Sequence, residues 1–73
     1  MERQYVGSTM IESIGYDFST GVLEVEFKSD HAVWQYSDFP EFMWHEFSCA
    51  DSKGKYFNAN IREQYTSQGY RVG

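Results

Sequence analysis

At 73 residues and 8.6 kDa the chain has room for one small domain, and its net charge of −5 at pH 7 argues against a long polyanionic partner such as duplex DNA. The single cysteine, Cys49, excludes an intrachain disulfide and fits a reducing compartment. Met1-Glu2-Arg3-Gln4 lacks the character of a signal sequence and no apolar run approaches membrane-spanning length, so the expected setting is the cytoplasm, with no membrane partner.

Residues 1–7 carry no strong pattern and read as loosely ordered. The next stretch alternates: Met10, Glu12, Ile14 and Tyr16 share one face of an expected strand, and Ile11, Ser13 and Gly15 the other. Asp17-Phe18-Ser19-Thr20-Gly21 supplies a turn. Residues 21–28 form the clearest strand, with Leu23, Val25 and Phe27 pointing one way and Glu24, Glu26 and Lys28 the other, as in a sheet covered on one face. Ser29-Asp30-His31 makes a second turn, and residues 32–37 a third strand on which Trp34 and Tyr36 share a face.

Phe39-Pro40 opens a helix expected to reach Ala50, because Pro suits a helix start. Phe39, Met43, Phe47 and Ala50 form its apolar stripe, with Phe42 beside it. Trp44 lies off the edge of that stripe, placed to meet another subunit, and Glu46 is expected to reach the rim. After a cap at Asp51-Ser52, a second helix is expected over residues 58–65, with Phe57 and Ile61 as i, i+4 anchors and Gln64 extending that face. Residues 66–73 are polar and glycine-bearing and read as a frayed tail. The expected fold is α+β: a single domain over residues 1–73, with a three-stranded antiparallel meander packed by two C-terminal helices in the order β-β-β-α-α.

Charge is divided unevenly along this chain. Residues 1–50 hold nine acids against Arg3 and Lys28, whereas residues 51–73 hold Lys53, Lys55, Arg62 and Arg71 against Asp51 and Glu63. The stretch from Ser52 to Arg62 is where positive charge, amide side chains and aromatic rings coincide. A basic, Gly54-containing turn leading into a helix suits a phosphate, through free N–H groups and the dipole. A solvated helix start with incidental lysines accounts for the same residues. The stretch is not a Walker loop, since Tyr56 follows Gly54-Lys55 and the upstream glycine is missing.

Taken in order, Ile14-Gly15-Tyr16-Asp17, Leu23-Glu24-Val25-Glu26-Phe27, Trp34-Gln35-Tyr36, Phe39-Pro40 and the run from Ala50 to Asn58, followed by Ile61-Arg62, resemble the KTSC domain family over residues 8–65. The family is named for a domain at the C-terminus of some lysyl-tRNA synthetases and includes small standalone proteins of bacteria and phages. Trp34 stands where the family's aromatic-x-aromatic motif usually has Tyr, and Ser29-Asp30 where its second turn often has Gly. RNA binding has been the standing suggestion for the family, so the resemblance implies a fold and a class of function but no reaction.

The expected function is therefore a non-enzymatic binding module for a phosphate-bearing ligand, either nucleotide-sized or a short single-stranded RNA. Sequestration of a nucleotide immune signal by a phage-type oligomer is one concrete version. The expected site combines Lys53, Lys55 and Arg62 in one anion site with Tyr56, Asn58, Trp34 and Tyr36, because single-strand binders set stacking rings beside cations. The alternative is a protein–protein interaction module using exposed aromatics. Aromatics make up 19% of a chain whose core is small, which favours a homo-oligomer. No cofactor or metal motif is visible. Glu41, His45 and Cys49 recur at i, i+4, but a solvated helix face explains them better than catalysis or metal binding.

Overall fold

The alternation in residues 21–28 gives the central strand of a five-stranded antiparallel sheet. In the computed structural model, which describes residues 2–65 and 69–73, the elements are β1 (Gln4–Tyr5), β2 (Ile11–Asp17), β3 (Val22–Phe27), β4 (Val33–Tyr36), α1 (Glu41–Cys49), α2 (Lys53–Tyr56) and β5 (Gly69–Arg71). A π-helical turn, Phe57–Ile61, continues directly from α2. The strands lie side by side in chain order, β1-β2-β3-β4-β5. Leu23 and Val25 of β3 are fully buried and pair with Tyr16 and Ile14 of β2 and with Tyr36 and Trp34 of β4. The helical layer covers this face, with Phe39, Phe47, Phe57 and Ile61 completing the core.

The fold class is the expected one, but the meander is wider. The segment read as loosely ordered contributes β1, which pairs Gln4 with Ile14 and Tyr5 with Ser13. The tail read as frayed contributes β5, which pairs Trp34 with Arg71 and Tyr36 with Gly69; residues 66–68 of that tail lie outside the described residues. A side chain at position 69 has no room, since a Cβ there would sit 2.5 Å from Cε1 of the buried Tyr36 ring.

Strict alternation places Ile11 and Ile14 on opposite faces of β2, yet both are fully buried in the core. The register shifts between Ile11, which pairs with Phe27, and Ser13, which pairs with Glu26. This β-bulge adds one residue and reverses the phase of everything after it. Ser13 and Gly15 then share the helix-free face with Glu24, Glu26 and Gln35. There Arg3 donates from Nε to Ser13 Oγ at 2.9 Å and from Nη1 to Glu24, while Gln35 Nε2 donates to Glu24 Oε2 at 2.7 Å. The Glu2–Arg3 backbone crosses so close over Gly15 that a Cβ there would lie 2.5 Å from the Glu2 carbonyl oxygen.

In α1, Phe47 is buried and Met43 partly buried as the stripe requires, whereas Phe42 is 65% exposed. Trp44 lies off the stripe, half-buried, with its ring stacked on Tyr16 at 5.6 Å. Glu46 stays at the rim and accepts a hydrogen bond from Tyr56 Oη at 2.7 Å. The second helix begins earlier than expected and widens: Arg62 N–H donates to Phe57 O at 2.9 Å, an i→i−5 bond. Tyr65, not Gln64, extends the Phe57–Ile61 face, and its ring meets Phe39 at 5.2 Å. The turn between β3 and β4 closes without glycine because His31 takes the left-handed conformation, φ 57°, and Asp30 Oδ1 accepts from Ala32 N–H at 3.0 Å. Among the described residues no helix is long and apolar enough to cross a membrane.

Candidate functional site

A cleft of about 350 Å³ opens between the β3–β4 turn and the π-helical turn. Its aromatic surface comes from Phe27, Trp34, Tyr36 and Phe57. The sheet register sets two of these, since Trp34 and Tyr36 stand opposite Val25 and Leu23 on the covered face. Phe57 meets Phe27 edge-on at 5.2 Å and Tyr36 at 5.9 Å, so the rings brace one another. The π turn supplies Asn58 and then Arg62 to the same cleft, and Arg62 Nη1 donates to Asn58 Oδ1 at 3.3 Å. Ser29 and Asp30 join them from the β3–β4 turn. Burial raises the Tyr36 phenol above its ordinary range, and the Arg62 charge partly opposes that rise.

The basic turn is differently employed. Lys53 donates from Nζ to Ala50 O at 2.6 Å, satisfying a carbonyl at the C-terminal end of α1. Ser52 caps α2, its Oγ accepting from Lys55 N–H at 3.3 Å. A Cβ at position 54 would meet Met10 and Ser8 at ordinary contact distances. Lys53, Lys55 and Gly54 line a second cleft of about 380 Å³, together with residues 7–10, Asp51, Ser52 and Asn58. Met10 and Asn58 line both clefts, which therefore adjoin.

The expected single anion site is thus divided: Arg62 lines the aromatic cleft and the two lysines line its neighbour. Two turns of regular α-helix align residues seven apart, but the wider π turn between Lys55 and Arg62 removes that alignment. Tyr56 lines neither cleft. Its ring stacks on Phe47 at 5.4 Å and its hydroxyl serves Glu46, with burial and then that carboxylate pushing the phenol far above its ordinary range. Tyr36 is a core residue that shows one edge to the cleft. Trp34, Asn58 and Arg62 are the expected residues that converge there with Tyr36. Sequence reasoning missed Phe27, Ser29 and Asp30; the position of Ser29-Asp30 in the tight turn before the Trp34 strand was the available signal. On α1, Glu41 Oε2 and His45 Nε2 lie 3.4 Å apart in an exposed pair, and Cys49 is an exposed free thiol.

A family model for the KTSC domain matches residues 7–65. The chain belongs to the KTSC domain family. This KTSC domain is 35% identical over 65 residues to an uncharacterized protein of Stutzerimonas stutzeri (strain A1501), covering 89% of this chain and 90% of that one. It also superposes on the crystal structure of a KTSC domain protein from Yersinia pestis with a TM-score of 0.91, at 35% identity, over 99% of this chain and 97% of the other. The matched span begins after β1 and ends before β5, so both edge strands of the KTSC sheet lie outside it.

Proposed function

We propose that this KTSC domain is a non-enzymatic binding module whose ligand is a nucleotide-sized, phosphate-bearing molecule, held in the cleft between Trp34 and Arg62. The observation that carries the reading is the coincidence of Trp34, Phe27 and Phe57 with Arg62 and Asn58 in one cleft of about 350 Å³, a volume in the ordinary range for small-ligand sites. A base stacks on the aromatic surface at about 1–3 kcal/mol. Asn58 and Asp30 offer hydrogen bonds to its edge, and the Arg62 guanidinium faces the phosphate. Lys55, exposed on the adjoining cleft, supplies a second positive charge to a longer phosphate chain or to the next nucleotide of a short single strand. In a small cytoplasmic protein of bacterial or phage type, an oligomer bearing several such clefts would act by sequestering a nucleotide signal. This reading predicts binding, by calorimetry against nucleoside mono-, di- and cyclic phosphates and short single-stranded RNA, that weakens at least tenfold in Trp34→Ala and in Arg62→Ala. Added salt should weaken it in the wild type more than in Arg62→Ala. Equal affinity in all three proteins would place the ligand elsewhere.

A further inference from the structure

A cleft of about 690 Å³ lies on the opposite side of β2 from β3, beyond the N-terminal end of β1. β1 pairs only with Ser13 and Ile14, and the Glu2–Arg3 backbone crosses over Gly15, so among the described residues Tyr16 and Asp17 have β3 on one side and no strand on the other. Three aromatic rings gather at this bare edge. Tyr16 is stacked on Trp44 at 5.6 Å and meets Phe18 edge-on at 5.0 Å, and Phe18 is 59% exposed. Negative charge surrounds them: Asp17 and Glu2 line the cleft, and Glu41 stands on the first turn of α1 beside Trp44. Burial, then the Glu41 and Asp17 charges, raise the Tyr16 phenol above its ordinary range. Among the described residues, the cation lining the cleft, Arg3, is turned to Ser13, Glu24 and Glu26 on the helix-free face.

We propose that this edge binds an extended, basic segment of a protein partner, its backbone adding to β2 beside Tyr16 and Asp17 and an arginine or lysine side chain resting among Tyr16, Trp44 and Phe18. An unpaired strand edge offers main-chain hydrogen bonds to an extended peptide, and side-chain pockets beside the edge give selectivity. Electron-rich ring faces attract a cation within about 6 Å of the ring centre. The carboxylates of Asp17 and Glu41 add charge complementarity and speed encounter with a positive partner. The site shares no lining residue with the Trp34–Arg62 cleft, so it stands whether or not that cleft holds a nucleotide.

The test is a ¹⁵N NMR titration of the intact protein with a short peptide alternating arginine and threonine. The expected result is displacement of the Trp44 indole and of the Tyr16 and Asp17 amides, with the Trp34 indole unmoved. The peptide with glutamate in place of arginine should give no displacement. Glu41→Gln, at an exposed position, and Asp17→Asn, whose Oδ1 can still accept from Ser19, should keep the wild-type spectrum elsewhere and weaken binding several-fold. A Trp44 indole that stays fixed would overturn the proposal. So would equal displacement by free argininamide, which would mark a small-cation site in place of a peptide edge.

Discussion

Glu24 is 7% exposed, in a sheet face with no helices over it, and it is ionised there because its partners are fixed. Burial works against the charge, but hydrogen bonds from Gln35 and Arg3, with the Arg3 charge, hold the carboxyl below its ordinary range. A carboxylate whose folded pKa is depressed contributes stability above its unfolded pKa and loses it as pH falls through the folded value. Wild-type stability should therefore fall more steeply below about pH 4.5 than that of Glu24→Gln, as followed by urea unfolding across acid pH. Arg3→Ala leaves Glu24 with Gln35 alone and should cost about 1–3 kcal/mol at neutral pH. A loss within 0.5 kcal/mol, roughly the error of such measurements, would mean that water replaces the guanidinium without penalty.

At the level of elements, the two long inner strands and α1 were legible because each carries several apolar residues at its own period. The edge strands were not. β1 has two residues and β5 three, too few to display a period, and their pairing is decided by the neighbouring strand rather than by local preference. The bulge at Glu12 and the π turn were hidden for a related reason. Each inserts a residue without changing composition, and Phe57 and Ile61 satisfy a regular helix equally well on paper. The π turn also explains the partial reading of the site, since it parts Arg62 from Lys55: Trp34, Asn58 and Arg62 announce themselves as ring, amide and cation, while Lys53's reach to Ala50 depends on the corner between α1 and α2. Gly69 tests the edge directly. Gly69→Ala drives a methyl group into the Tyr36 ring and should cost about 1–3 kcal/mol. The loss should be accompanied by faster hydrogen exchange along β4, whereas an unchanged melting temperature would show that β5 contributes little.

For the molecule as a whole, Tyr5, Phe18, Phe42, Tyr70 and Val72 are large apolar side chains that remain about half or more exposed. They lie on the sheet edges, the β2–β3 turn, the chain end and α1, so one chain has no means of covering them all. A domain of this size folds with a small margin, and burying such groups against copies of itself adds to that margin. We expect a homo-oligomer at micromolar concentration, with a melting temperature that rises with protein concentration. Light scattering that finds only an 8.6 kDa species, at every concentration tried, would exclude it.

Because the strands follow one another across the sheet in chain order, a ribosome lays the sheet down from one edge towards the other. Each inner strand meets its next partner after a tight turn, until β4. Its second neighbour is encoded beyond both helical segments, with Gln35 waiting for Tyr70. A chain released before that neighbour is made presents Trp34 on an open strand edge, the kind of edge that recruits other strands. Premature termination within the helical segments should therefore expose this protein to aggregation more than the chain carried through to Arg71. The late arrival of three residues, Gly69 to Arg71, ends the hazard.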